Sequence, residues 1–233
     1  MSAPAASGTV SLLFAQPAGS SSEALLIAGV GLAGACLSVL AEVLIRRALP
    51  RLGDSPTGRA RITTAAATFA LSALLAWRFG PSPELPAYVL LAVAGVQLAR
   101  IDLLHHLLPN RMVLPLLGAG LVLLAAAAGV SGEAGNLLRG VAGGLILFIS
   151  YLILALTSRN GLGMGDVKLA APLGLYLGYL GWSHLFYGGA LGFVAGGVAS
   201  LIVVLKNRGN KPKEVAYGPS MLAAALAVIA LFP

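Results

Sequence analysis

Charge is what this chain has least of. Only 10% of its 233 residues are Asp, Glu, Lys or Arg, while 58% are hydrophobic. Soluble domains carry about a quarter charged residues, so a water-soluble globule is excluded and a multi-spanning membrane protein is expected. Cysteine is nearly absent as well. The single Cys36 excludes a disulfide framework and a CxxC zinc pair. It falls in the middle of a long apolar run, where a packing role is expected. No basic residue precedes Arg46, and a secretory signal peptide needs a positive n-region. Residues 1–21, small and polar, are therefore expected to form a disordered tail ahead of the first span.

What the chain has instead is long apolar runs. A helix crossing about 30 Å of hydrocarbon needs about 20 mainly apolar residues. Eight segments fit, at roughly 22–45, 62–79, 85–101, 112–130, 137–157, 166–181, 184–205 and 217–232. The sixth and eighth are short, which leaves six to eight spans. No stretch between the segments is long enough for a soluble domain. Residues 22–233 are thus expected to form one membrane-embedded, all-α helix bundle.

The net charge of +7 follows the same layout. Arg46, Arg47, Arg51, Arg59 and Arg61 surround the first loop; Arg100 and Arg111 flank the third; Arg159 and Lys168 flank the fifth. Lys206, Arg208, Lys211 and Lys213 fill the seventh, and the intervening loops hold only Arg78 and Arg139. Basic residues mark cytoplasmic loops, so the odd-numbered loops are expected inside and the N-terminus outside a cell (plasma or inner) membrane. Membrane lipid is the partner this pattern implies, and no nucleic acid is implied.

Eight acidic residues remain to be placed. Asp54, Glu84, Glu133 and Glu214 belong to loops, and Glu23 starts the first span. Glu42 stands four residues before Arg46, where an i,i+4 ion pair at the interface accounts for it. Asp102 and Asp166 are left. Asp102 closes the third segment in "QLARIDLLHHLLPNRMVLP", with Pro109 and Asn110 breaking the chain before the fourth; Asp166 opens the sixth in "GLGMGDVK". Two crossings separate them, so both lie at the same membrane face whatever the helix boundaries. Two close carboxylates in a partly desolvated site cannot both ionise cheaply and share one proton. That arrangement suits an aspartyl hydrolase, which activates water with no metal, no cofactor and no covalent intermediate. Gly161, Gly163 and Gly165 leave room beside Asp166 for a substrate backbone. Lys168 either tunes the pair or snorkels to the headgroups.

Plainer readings stay open at this point. Asp166 also suits a helix N-cap, and Asp102 an interfacial polar position. His105 and His106 are adjacent, so on a helix they diverge by about 100°, which makes a poor metal pair and good solvated interfacial residues. Gly188, Gly192 and Gly196 form a small-residue stripe suited to helix packing. "VAYGPSML", 215–222, reads as a loop leading into a helix with Pro219 in its first turn.

Three blocks carry a family resemblance. "GMGDVKLAAPLGLYLG" resembles the GxGD signature of type IV prepilin leader peptidases, including the lysine two residues on. "IDLLHHLLPNRMVLP" is similar to that family's first aspartate motif, and "AYGPSMLAAAL" to its closing Pro-Phe-Gly-Pro segment, with Tyr217 in place of the phenylalanine. The blocks run in the family's order over about residues 97–225. The resemblance implies an aspartic endopeptidase that trims a short basic leader from pilin-like precursors, with Asp102 and Asp166 as the catalytic pair. Gly163, Gly165, Lys168, Pro109 and Asn110 would shape the site. Larger members carry a long first cytoplasmic loop with paired CxxC motifs, associated with zinc binding and N-methylation of the product. Here that loop is "ALPRLGDSPTGRAR", without cysteine, so the resemblance implies the peptidase and not the methyltransferase. An ion-coupled transporter and a GxGD protease of the presenilin or signal-peptide-peptidase type are the alternatives; the latter pairs its GxGD with Tyr-Asp, where this chain has Ile101-Asp102. The oligomeric state is not legible.

Overall fold

The computed structural model describes residues 19–48, 57–157, 163–206 and 217–232. They form eight α-helices: Gly19–Ala48 (α1), Gly58–Phe79 (α2), Leu85–His105 (α3), Asn110–Ser131 (α4), Ala134–Thr157 (α5), Met164–Leu180 (α6), Trp182–Lys206 (α7) and Gly218–Leu231 (α8). Each expected apolar segment is one helix. In hydrocarbon every backbone N–H and C=O must be satisfied within the segment, which leaves helix as the outcome for runs this apolar. Where the chain turns, local residues stop it. Thr57 Oγ1 accepts the Ala60 N–H at 3.3 Å ahead of α2. Gly80 and Gly132 end α2 and α4 at φ of 59° and 73°, where a side chain would be strained.

Six of these helices are long and apolar enough to cross a membrane: α1 to α5, and α7 over Trp182–Ile202. This is a multi-pass membrane protein. The remaining two are shorter. At 1.5 Å per residue α6 is about 25 Å long and α8 about 21 Å. Both are inner helices: from Asp166 to Tyr179 only Lys168 and Ala171 of α6 escape full burial. Packed into the bundle over most of their surface, they need not match the hydrocarbon thickness.

Successive helices run antiparallel, so the ends of the odd helices meet the starts of the even ones. At the far end of the bundle the two arginines of the even loops are occupied in packing. Arg139 donates to the Gly178 and Tyr179 carbonyls at 2.8 and 2.7 Å, and Arg78 to the Phe232 carbonyl at 2.9 Å. These are carbonyls at helix C-termini, which lack intrahelical partners.

The closest approach is between α5 and α6. A Cβ on Gly143 would stand 2.6 Å from the Gly174 carbonyl oxygen and 3.0 Å from the Gly178 Cα. Small residues let two backbones touch where no hydrophobic effect drives association. The α7 stripe packs as expected: a Cβ on Gly188 would meet Leu177 at 2.5 Å, and one on Gly192 the Met221 Cα at 3.5 Å.

Three expectations change. Helix α1 begins at Gly19, so it absorbs the end of the expected tail; residues 1–18 lie outside the described residues, as do Asp54, Arg159, Gly161 and Glu214. Cys36 does not pack in the core. It is exposed on α1, because that helix covers only the side facing α2 and α3. Glu42 is more than one half of an i,i+4 pair. It is buried and meets Arg46, Arg61 and Arg100, since α2 and α3 bring two further guanidiniums to it.

Candidate active site

Asp102 lies in the last turn of α3, which runs four residues past the expected boundary at 101, and it is 4% exposed. A carboxylate at a helix C-terminus faces the unfavourable end of the dipole. The bundle compensates with the opposite end of another helix. The Gly218 N–H, at the start of α8, donates to Asp102 Oδ2 at 3.0 Å. Two sequence features make that contact possible. Gly218 has no Cβ, which would stand 2.7 Å from Oδ2, and Pro219 starts the helix at the one turn where its missing N–H costs nothing.

Asp166 lies in the first turn of α6 and is 7% exposed. The N-cap reading does not hold for it: the N-cap is Gly163, with no side-chain capping bond. The Asp166 carboxylate turns back toward that residue, so that a Cβ on Gly163 would sit 3.3 Å from Oδ2. It therefore stays near the positive end of α6, beside the Gly163 backbone. Gly161 lies outside the described residues.

The α3–α4 connection joins the two aspartates. His106 ends α3 in the left-handed conformation, its N–H bonded to the Asp102 carbonyl at 2.8 Å. Leu108 then drops between the two sites. It would be 3.3 Å from a Cβ on Gly218, beside Asp102, and 3.0 Å from one on Gly165, next to Asp166. Pro109 caps α4, and Asn110 Oδ1 accepts from Lys168 Nζ at 3.0 Å. Lys168 thus ties α6 to α4, and among the described residues it forms no ion pair with either aspartate. The two carboxylates are near enough to interact electrostatically, although no hydrogen bond joins them. Catalytic contacts in substrate-free sites are commonly looser than in the complex.

The candidate site residues that are described, Asp102, Asp166, Gly163, Gly165, Lys168, Pro109 and Asn110, fall at this one end of the bundle. His105 and His106 are exposed beside it, and among the described residues no three His, Cys, Asp or Glu side chains gather into a metal-sized group. Sequence reasoning missed three neighbours. Gly218 and Leu108 stand in two of the quoted sequence blocks, but neither is singled out there as a site residue. Tyr151, buried on α5, makes a long 3.5 Å contact to the Gly189 carbonyl of α7. Its signal was visible: it is the sole tyrosine of a strongly apolar 24-residue helix, and a polar group in hydrocarbon needs a reason.

Comparison with known proteins gives this end of the bundle a family. The model of the type IV leader peptidase family matches residues 88–204, from the first turn of α3 to the last turn of α7. That is 117 of the 233 residues and includes both aspartates, though not Gly218. A prepilin leader peptidase/N-methyltransferase of Stutzerimonas stutzeri is 34% identical over 155 residues, covering 66% of this chain and 52% of the relative. The protein of that name from Pseudomonas aeruginosa is 31% identical over 160 residues, covering 68% and 53%. One from Aeromonas hydrophila is 33% identical over 159 residues, covering 67% and 53%. The chain spans about half the length of these curated relatives. No solved structure matches it. With half the chain matched by the family model and both aspartates inside the match, the protein belongs to the type IV leader peptidase family.

Proposed function

We propose that this protein is a membrane aspartic endopeptidase that removes the short basic leader of pilin-like precursors. The observation that carries the proposal is the convergence of Asp102 and Asp166, from the end of α3 and the start of α6, around Leu108 and Gly218. In the proposed reaction the pair holds one proton between its two carboxyls. The ionised member takes a proton from water as the water oxygen attacks the scissile carbonyl carbon. The protonated member donates to the carbonyl oxygen. Collapse of the tetrahedral intermediate breaks the C–N bond: the departing amine takes a proton from one carboxyl while a hydroxyl of the intermediate returns one to the other, which restores the singly protonated pair. Titration then belongs to the pair and not to either residue.

Charge supports the direction in which the site faces. Arginines and lysines cluster in the loops at the aspartate end, and such clusters stay in the cytoplasm. A precursor whose basic leader remains inside while its apolar helix enters the membrane would present its junction there. An ion-coupled carrier would hold its carboxylates near the midplane, whereas these two lie in terminal turns. The N-methyltransferase named in the relatives is not proposed here, because the connection between α1 and α2 is short and free of cysteine. Co-expression with candidate pilin precursors tests the proposal, with leader loss read as a mass shift of the precursor. Unchanged precursor mass across the full candidate set, with the protein present and folded in the membrane, would count against it.

A further inference from the structure

We infer that Arg46, Arg61 and Arg100 form a phosphate-binding site, and that the ligand is the headgroup of an anionic phospholipid. The site lies at the aspartate end of the bundle but on the other side of α3. It uses none of the residues of the carboxylate pair and does not depend on the proposed peptidase activity.

Three helix ends build it. Arg46 is in the last turn of α1, Arg61 in the first turn of α2, and Arg100 near the end of α3. All three converge on Glu42, whose side chain is 6% exposed. Arg46 and Arg61 both reach Oε1, the latter at 3.1 Å. Arg100 does not complete the set. Its NH1 lies 3.9 Å from Oε2, beyond hydrogen-bond range, and this buried nitrogen has no hydrogen-bond partner among the described residues.

The charges leave the same gap. Among the described residues one carboxylate faces three guanidiniums, which stay protonated at any physiological pH, so two positive charges there are uncompensated. A solvated surface patch would spread them apart. Here they are held together around a buried acid, and Arg100 is only 21% exposed. A buried donor without an acceptor is costly. A phosphate oxygen supplies that acceptor, and planar guanidiniums grip phosphate in a bidentate manner. Arg46 and Arg61, at 40% and 45% exposure, leave the cluster open for such a group to enter.

Position selects the source. The cluster sits where three helices end, which is the depth of the headgroups. A membrane phosphodiester is already held at that depth, whereas a soluble anion has to be drawn from solution against the competition of water.

The test uses the purified full chain in detergent, with lipid retention read by native mass spectrometry. Equimolar phosphatidylglycerol and phosphatidylcholine compete, with inorganic phosphate added in a separate arm. Phosphatidylglycerol should be retained selectively. R61Q and R100Q should each lower its retention by about fivefold, the usual weight of one basic residue at a charged membrane surface. E42Q should raise retention, because it frees the arginines, and a rise cannot come from misfolding. R47Q, which alters an exposed arginine outside the cluster, should change retention little. Displacement of the lipid by millimolar phosphate, with the same order of variants, would keep the anion site and reject the lipid as its source. Equal retention of the two lipids, or equal losses in R47Q and R100Q, would overturn the inference.

Discussion

Adding one methyl group at Gly218 should slow turnover sharply while leaving the bundle folded. An alanine Cβ there would stand 2.7 Å from Asp102 Oδ2 and 3.3 Å from both Asp102 Cγ and Leu108 Cδ1. No real Cβ tolerates the first of these contacts. The carboxylate has to retreat by somewhat less than 1 Å, and its hydrogen bond from the Gly218 N–H lengthens or breaks as it does. A misplacement of about 1 Å at a reacting group costs about a hundredfold in rate, so kcat should fall by roughly ten- to a hundredfold with KM little changed. Overpacking of this kind destabilises by about 1–3 kcal/mol, which should lower the thermal midpoint without preventing folding. The matched control is Gly118→Ala on α4, where an added Cβ meets nothing within 4 Å. That change should leave turnover alone and stabilise the helix by up to about 1 kcal/mol. The assay is precursor cleavage in detergent followed by mass, with thermal unfolding of each variant alongside. Wild-type turnover by a folded G218A protein would refute the claim that the Gly218 contact fixes the geometry of Asp102.

Gly143→Val should cost about 2 kcal/mol or more in stability, because its side chain would run into the Gly174 carbonyl, a backbone group that cannot rotate away; thermal unfolding in detergent measures it. Leu107→Cys in a Cys36→Ser background tests orientation. Leu107 is 60% exposed between α3 and α4, so in inverted vesicles a membrane-impermeant thiol reagent should label it, and in right-side-out cells it should not. Strong chelators should leave cleavage intact, since the proposed pair activates water with no metal; loss of activity restored by added zinc would contradict this. Incubation with precursor and S-adenosylmethionine should give an unmethylated product by mass, and a methylated one would show that the transferase does not need a cysteine-bearing loop.

The sequence made the helices legible because hydrocarbon allows few alternatives. Runs such as 112–130 and 137–157 have no other way to satisfy their backbones, and the helices found overshoot those runs by only a few residues. Parity made the aspartates legible as a pair, since two crossings between Asp102 and Asp166 return the chain to one face. Contacts that depend on how helices pack were not legible. Gly218 is 116 residues from Asp102, and no periodicity within α8 says which helix its N-terminus will meet. Lys168 and Asn110 are 58 residues apart, each of ordinary type for a loop edge, and their bond exists only because α4 and α6 start side by side. Glu42 looked complete with Arg46 one turn away, and the two further arginines come from other helices. Cys36 was misplaced for a related reason: composition says that α1 is apolar, and says nothing about which of its faces α2 and α3 will cover.

The most direct test of the central claim is cleavage of one precursor by purified Asp102→Asn, Asp166→Asn and the double variant, each shown to be folded by its thermal transition. Asparagine keeps the shape of the side chain and removes its acid–base function. If the two carboxyls act as a unit, each single variant should show no product above the background rate, and the double variant should be no worse than either, because losses within one catalytic unit do not add. Sustained cleavage by either single variant would contradict the two-aspartate account.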